Sequence, residues 1–169
     1  MEIVMNPGRI LRHLFNPAWR VRRAFPARAL RAIEAAIRQS EKNHSGEIRF
    51  AVEATLDVLP LLRGQTARER AIDVFSRLRV WDTEQNNGVL IYLLLADRDV
   101  EILADRGIHA RVGVPEWEHI CREMEQCFRE GRFEEGVVTG IRAVDAHLAR
   151  HFPRSGQSPN ELPDAPLVL

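Results

Sequence analysis

The fold is decided by one stretch of the sequence, Gly88-Val89-Leu90-Ile91-Tyr92-Leu93-Leu94-Leu95-Ala96-Asp97-Arg98-Asp99-Val100-Glu101-Ile102-Leu103-Ala104. Residues 88–95 form an almost unbroken apolar run, which is typical of a strand that is covered on both faces. A short polar break at residues 96–99 separates this run from a second apolar run at residues 100–104. We therefore predict a buried central strand that continues into an antiparallel hairpin.

A second strand and a crossover helix precede this hairpin. Residues 47–53 alternate, with Ile48, Phe50 and Val52 on one side, which predicts a strand with one wetter face. Thr66 and Glu69 have capping-box spacing and begin the crossover helix that follows. Because a strand, helix and strand in this order form a right-handed crossover, the first two strands should be parallel and the whole sheet mixed.

The remaining segments complete an α/β domain. A helix is predicted at residues 26–41, before the first strand, and two more helices follow the hairpin at about residues 115–130 and 133–151. The tail at residues 153–169 is rich in Pro, Ser, Gly, Asn and Gln and shows no periodicity, so we expect it to be disordered. We thus divide the chain into a basic arm (1–25), an α/β domain (26–152) and a disordered tail (153–169).

The composition indicates one globular domain that stays in the cytoplasm. Of 169 residues, 45% are hydrophobic and 28% charged, which is ordinary for a folded chain. Lys plus Arg and Asp plus Glu each total 24, so no overall field favours nucleic acid. We find no continuous apolar run long enough for a signal peptide or a membrane-spanning helix.

Arginines crowd the N-terminal arm, where Glu2 is the only acid before Glu34. They are Arg9, Arg12, Arg20, Arg22, Arg23, Arg28 and Arg31. Together with Phe15 and Trp19 they predict contact with an anionic membrane surface or a protein partner. The alternative is an arm that packs on the domain or frays, because three prolines interrupt any long amphipathic helix.

Polar segments should converge at one rim of the sheet, where the two parallel strands start and the hairpin ends. The candidate metal ligands there are Glu47, Asn86, Asn87 and Asp105. The candidate contacts to a further ligand are His44, Ser45, Arg49 and Arg106. The oxygens of the four candidate metal ligands suit a hard cation such as Ca²⁺ or Mg²⁺, and Gly46, Gly88 and Gly107 would let the backbone approach a ligand. The alternative interpretation is turn residues and solvated strand ends, and no motif indicates an organic cofactor.

A second acidic rim lies at the opposite end of the predicted sheet. Glu53, Asp97 and Asp99 fall there, with Asp57 nearby. Open α/β sheets usually bind ligands beyond the carboxyl ends of their parallel strands, a rule that favours this rim. We keep the first rim because its residue types are more varied, and we carry the second as the fallback.

The run from Asn86 to Ile102 resembles the central signature of the TPM-domain family, in which an Asn-Gly-Val-Leu strand leads into an Asp-Arg hairpin. The resemblance covers residues 27–152 and implies a three-layer α/β/α sandwich around a small mixed sheet. Plant thylakoid members of that family have been linked to acid phosphatase activity and photosystem repair. Calcium binding has been attributed to the fold, and many bacterial relatives carry a signal peptide and a membrane anchor.

The sequence departs from those relatives in three ways. It has neither signal nor anchor, Ala104-Asp105-Arg106-Gly107 replaces a glycine-rich turn, and it has the basic arm. It therefore resembles a soluble bacterial branch. Our first functional hypothesis is a divalent-cation-binding interaction module.

Two other functional hypotheses stay open. The alternative to the cation-binding module is a metal-assisted acid phosphatase acting on phosphate esters, in which Arg49 or Arg106 stabilises charge and His44 or an acid moves the proton. A purely structural domain is the third. No spacing identifies a catalytic residue, so whether the protein is an enzyme also stays open.

Overall fold

A four-stranded mixed sheet organises the computed structural model, which describes residues 6–169. The strands are β1 (Glu47–Glu53), β2 (Gly88–Leu94), β3 (Asp99–Ala104) and β4 (Leu167–Val168). Their order in the sheet is β3-β2-β1-β4, with β1 parallel to both β2 and β4 and with β2 antiparallel to β3. The predicted parallel pair and the predicted hairpin are thus confirmed, and β4 is an addition from the tail.

The part of the chain that the structure describes contains eight helices. They are α1 (Pro7–Leu14), α2 (Trp19–Ala24), α3 (Ala27–Ser40), α4 (Val58–Leu62), α5 (Ala67–Arg77), α6 (Arg106–Val112), α7 (Val114–Arg129) and α8 (Phe133–His151). The capping box begins α5, because Thr66 Oγ1 accepts a hydrogen bond from Glu69 N and Thr66 N donates to Glu69 Oε2.

The helices cover both faces of the sheet. On one face, Ile48, Phe50 and Val52 of β1 pack in a core cluster with the apolar residues of α3, α7 and α8. On the other face, Ala51 of β1 and Tyr92 of β2 pack with α4 and α5. Covering both faces explains why every residue of β1 and β2 is buried. The predicted three-layer α/β/α sandwich is confirmed.

The structure differs from the prediction for the C-terminal tail, which is ordered where we expected disorder. Leu167 and Val168 pair with Ala51 and Val52 of β1, and Leu162 is buried. The tail thereby covers an edge of β1 that would otherwise leave backbone groups unpaired. The segment contributes few apolar side chains, so its sequence carries no periodic signal of this strand.

Two buried charges on β1 hold the tail in place. The Glu47 carboxylate accepts hydrogen bonds from Glu161 N and Leu162 N at 3.0 and 3.1 Å. The Arg49 guanidinium donates to the carbonyl oxygens of Pro163 and Ala165. The face of β1 that we expected to be wetter is therefore covered, and Glu47 and Arg49 are only 3% and 6% exposed. Paired in this way, neither charge lacks a hydrogen-bonding partner.

The basic arm also packs on the domain through part of its surface. In α1, His13 is buried and its Nδ1 accepts a hydrogen bond from Leu56 N at 3.1 Å. Val21 of α2 and the following Phe25 belong to the core cluster beneath α3 and α8. Pro7 lies in the first turn of α1, Pro17 lies between α1 and α2, and Pro26 is the N-cap residue of α3.

Two carboxyl groups near the tail, one buried and one half-buried, make stability depend on pH. Burial raises the pKa of Glu41 to about 8, and burial raises the pKa of Glu47 to about 7, against an ordinary value of 4.5. Between pH 4.5 and 8 the folded protein therefore binds more protons at these groups than the unfolded chain does. Their contribution to stability is present at low pH and is lost as the pH rises through this window.

We predict that Glu41→Gln removes part of this pH dependence. At pH 5 the variant should melt near the wild-type temperature, and at pH 8 it should melt roughly 2–4 °C higher, because the neutral amide carries no charge to bury. Thermal unfolding from pH 5 to pH 8 measures this, with Glu123→Gln on the exposed surface of α7 as the control. If the difference in melting temperature between Glu41→Gln and wild type is the same at pH 5 and pH 8, the prediction is wrong.

Candidate functional site

Backbone hydrogen bonds join the three predicted segments at one rim of the sheet. Asp105 N donates to Gly88 O at 2.8 Å, and Gly107 N donates to Asn86 O at 2.9 Å. Glu47 N donates to Asn87 O at 3.4 Å. The starts of β1 and β2 and the end of β3 thus meet as their strand directions require. We call this place the amide rim and define it by Ser45, Gln85, Asn86, Asn87, Asp105 and Arg106.

Side chains of the amide rim form two short hydrogen-bond chains. Asn87 Nδ2 donates to Ser45 Oγ at 3.4 Å, and Ser45 Oγ donates to Gln85 Oε1 at 3.0 Å. Separately, the exposed Arg106 donates through Nε to Asn86 Oδ1 at 3.1 Å. Three of the candidate metal ligands, Asn86, Asn87 and Asp105, therefore lie on this rim with Ser45 and Arg106.

Two buried oxygens of the amide rim have no hydrogen-bond partner among the described residues. They are Asn87 Oδ1, on a residue with no solvent exposure, and Asp105 Oδ2, on a residue that is 9% exposed. The other carboxylate oxygen, Asp105 Oδ1, accepts from Arg106 N at 2.7 Å at the start of α6. Buried acceptors without a partner are rare and costly, so these two oxygens require an explanation.

Glycines at this rim serve the packing of the chain on itself. A Cβ atom at Gly88 would lie 2.0 Å from Val80 O, and one at Gly107 would lie 2.5 Å from Asn86 O. Both positions therefore exclude any side chain, because backbone atoms occupy the space. The close approach that we attributed to a ligand is made by neighbouring backbone instead.

Two predicted residues do not point into the amide rim. Glu47 and Arg49 are engaged by the tail, as described above. A third, His44, is buried beside α8, with Gly46 N donating to its Nδ1 at 3.1 Å and its Nε2 lying 3.6 Å from Asp145 Oδ1. Burial lowers the pKa of His44, so the ring is neutral at pH 7.

The donor types at the rim restrict what it can hold. Within residues 6–169, no three His, Cys, Asp or Glu side chains cluster as a metal-ligand set. The rim offers one carboxylate, side-chain amide oxygens and a hydroxyl. Such a set lacks the imidazole and thiolate ligands of transition metals and resembles the oxygen ligands of Ca²⁺ or Mg²⁺.

The fallback rim is largely occupied by internal ion pairs. Arg70 donates to both carboxylate oxygens of Glu53 at 2.8 and 2.9 Å, and Tyr92 OH donates to Glu53 Oε2 at 2.6 Å. Asp97 accepts from Arg9 and Arg12 of the N-terminal arm.

The pKa values of two acids on the fallback rim are shifted. His13 Nε2 lies 3.2 Å from Asp97 Oδ2, and the contacts of Asp97 with Arg9 and His13 together outweigh burial and lower its pKa. Burial raises the pKa of Asp99 to about 6.

Sequence reasoning missed the partners of these acids. Tyr92 lies within the apolar run of the central strand, and its hydroxyl is a signal that a buried polar group must be near. Arg70 could not be assigned to Glu53 from spacing, since the two residues are brought together by the packing of α5 on the sheet. His13 likewise carries no local signal.

The fold is that of an α/β protein whose small mixed sheet lies between two helical layers. The sequence model of the TPM domain matches residues 23–147, and the chain belongs to the TPM-domain family. The resemblance inferred from residues 86–102 is thereby confirmed. The family match begins at residue 23, so it leaves out α1 and most of α2.

A solved structure supports the same assignment. The chain is similar to the NMR structure of the BA42 protein from the psychrophilic bacterium Bizionia argentinensis, with 34% sequence identity and a TM-score of 0.75. The similarity covers 86% of this chain and 95% of that one. No functionally curated protein matches the chain. Across residues 6–169, none of the helices has the length and apolar character needed to cross a bilayer.

We predict that Arg70→Ala destabilises the fold by about 3 kcal/mol, because it leaves the buried Glu53 carboxylate without its cation. The matched control is Arg68→Ala, whose ion pair with Glu101 is more exposed and should contribute less than about 1 kcal/mol. Urea denaturation measures both changes. Equal decreases in the free energy of unfolding of the two variants would show that the buried pair with Glu53 stabilises the fold no more than the exposed pair does.

Proposed function

We propose that this TPM-domain protein is an interaction module that binds a divalent cation at the amide rim. The observation that carries the proposal is the pair of buried, unpartnered oxygens, Asn87 Oδ1 and Asp105 Oδ2. A cation bound at this rim would compensate the charge of Asp105 and give its free oxygen a partner. A neutral hydrogen-bond donor would leave that negative charge uncompensated.

The two oxygens come from neighbouring positions of the sheet. Asp105 N is bonded to the carbonyl of Gly88, the residue after Asn87, so the two side chains extend from adjacent backbone. Ser45 Oγ, already within reach of Asn87 Nδ2, and the amide oxygen of Asn86 are further candidate ligands. With a single carboxylate, we expect modest affinity, with a Kd of roughly 10⁻⁴ to 10⁻³ M for Ca²⁺.

Glu47 does not belong to the proposed ligand set. Its two carboxylate oxygens already accept backbone hydrogen bonds from the tail, and its raised pKa of about 7 disfavours the charged form that a cation needs. We also propose that the protein acts in the cytoplasm. Its two cysteines, Cys121 and Cys127, are both unpaired, as is usual in a reducing compartment.

A second candidate function is a metal-assisted phosphatase that acts on phosphate esters. The exposed guanidinium of Arg106 favours it, because this group lies on the same rim and keeps donors available for a phosphoryl oxygen. A bound cation would supply charge to polarise the phosphoryl group. The sequence model of the family also carries the word phosphatase in its name. Buried and held near Asp145, His44 is a poor candidate for moving the proton.

For the cation site we predict opposite effects of two isosteric changes. Asp105→Asn keeps an oxygen for the Arg106 N bond but removes the charge, so it should weaken Ca²⁺ or Mg²⁺ binding at least roughly tenfold. Asn87→Asp adds a carboxylate and should strengthen binding. Isothermal calorimetry measures both, with Asp73→Asn on the exposed side of α5 as the control.

The cation proposal fails if the wild-type protein binds neither cation at millimolar concentration. It also fails if Asp105→Asn binds as tightly as Asp73→Asn does.

For the phosphatase we predict that the protein hydrolyses p-nitrophenyl phosphate in the presence of Mg²⁺ or Ca²⁺. Arg106→Gln should lower kcat by about 10²-fold or more, as the loss of one charge-stabilising donor does in other enzymes. Asp105→Asn should lower it further. If wild-type protein is no faster than Asp105→Asn, the phosphatase is excluded, and the cation proposal still stands on its calorimetry.

A further inference from the structure

Helix α1 contacts the domain through Arg9, His13 and the half-buried Ile10. Arg9 Nε donates to Asp97 Oδ2 at 2.8 Å, and His13 is buried against the same carboxylate. The apolar residues Leu11, Leu14 and Phe15 point outward and are 53%, 60% and 74% exposed. A surface helix of a globular protein normally has the reverse arrangement. The apolar side of α1 therefore lacks a cover among the described residues.

The exposed apolar surface continues into α2. Trp19 is 54% exposed, so four large apolar side chains are exposed within residues 11–19. Single exposed apolar residues are common, whereas contiguous ones rimmed by charge mark interaction sites. Aromatic residues in such a position are typical of proteins that lie at a membrane interface.

Positive charge surrounds these apolar residues. Residues 6–33 contain seven arginines and no acid. Arg9 and Arg12 pair with Asp97, and Arg28 pairs with Glu134. Arg20 and Arg23 of α2 make no ion pair with any described residue, so their charge is available to a partner.

A cavity of about 520 Å³ lies where α2 approaches the turn between β2 and β3 and the turn after α7. Three arginines line it, Arg20, Arg23 and Arg98, and none of the described residues that line it is acidic. Arg98 reaches it from a left-handed backbone conformation, with φ of 52°. Asn16, 6% exposed, adds a buried side-chain oxygen that has no partner among the described residues.

We propose that α1, α2 and this cavity dock the protein on a bilayer that contains anionic phospholipids. A headgroup phosphate occupies the arginine cavity, and the exposed side chains of Leu14, Phe15 and Trp19 enter the boundary between headgroups and acyl chains. Guanidinium groups bind phosphate through paired N–H donors. The unpartnered Asn16 oxygen accepts from a headgroup hydroxyl.

Charge decides between this occupant and a second copy of the chain. Two copies joined through this surface would bring the cavity arginines Arg20, Arg23 and Arg98 of both copies together without an acid that lines the cavity, which like-charge repulsion disfavours. A bilayer offers an apolar layer and a phosphate layer at once, which matches both features of the surface. The surface lies at the end of β2 opposite the amide rim, so this proposal is independent of the proposed cation site.

Vesicle flotation of the full chain tests the proposal. The protein should float with vesicles of phosphatidylcholine and phosphatidylglycerol and stay unbound with phosphatidylcholine alone. Binding should weaken as the salt concentration rises from 0.05 to 0.5 M, because salt screens the attraction between exposed charges. Equal binding to the two vesicle compositions, or binding to neither, overturns the proposal.

Matched variants locate the surface. The double variant Arg23→Gln and Arg98→Gln should lower partitioning by roughly fivefold for each arginine removed. The control is Arg77→Gln with Arg150→Gln, two exposed arginines near the other end of the sheet. If the control loses as much vesicle binding as the test variant, the net charge of the protein, and not the proposed surface, determines its attraction to the vesicles, and the proposed surface is wrong.

A tryptophan pair tests the apolar part. Trp19→Ser should lower partitioning by on the order of tenfold, and Trp81→Ser, which removes a similarly exposed ring outside this surface, should leave it unchanged. Melting temperatures of both variants show whether each is folded. Equal partitioning of the folded Trp19→Ser variant and wild type would overturn the insertion of this face.

Two further measurements distinguish other occupants. Calorimetry with glycerol phosphate, without vesicles, reports a soluble phosphate ester; binding to that probe together with failure to float assigns the cavity to a soluble ligand and overturns the membrane proposal. Sedimentation velocity reports a second copy. A dimer that Trp19→Ser dissociates, again without vesicle binding, overturns it as well.

Discussion

The structure depends on the burial of three charged residues on one face of β1. Glu47, Arg49 and Glu53 alternate on a strand that is covered on both sides, and each is less than 9% exposed. A buried charge without a partner would destabilise the fold by several kcal/mol. The chain therefore has to bring hydrogen-bonding groups to this face. Tyr92 of the neighbouring β2 supplies one of them to Glu53, and the C-terminal tail and α5 supply the others.

The C-terminal tail and α5 divide that task between them. The tail offers backbone N–H groups to Glu47 and carbonyl oxygens to Arg49, and α5 offers Arg70 to Glu53. Glu47 and Glu53 are therefore poor ligands for a metal ion or a substrate, because their carboxylates already bond the tail and α5. What remains at the amide rim is Asn87 and Asp105, each of which has one buried oxygen that no described group satisfies.

The parts that the sequence predicted follow from local or pairwise rules. Apolar runs, capping signals and the handedness of the crossover predict β2, the hairpin and the parallel pairing, and these place Asn86, Asn87 and Asp105 at one rim. The order of the tail was not predictable in this way, because it arises from hydrogen bonds to Glu47, more than 100 residues away. For the same reason, sequence spacing cannot reveal which oxygens stay unpartnered.

The two proposed binding surfaces lie at opposite ends of strand β2. β2 contributes seven residues, a span of about 20 Å, with Asn87 before it and Leu95 and Arg98 after it. At that distance, and with no shared side chain, the free energies of binding at the two surfaces should be additive. A chain docked through its arginines would then hold the amide rim away from the bilayer, where a partner in solution can reach the cation.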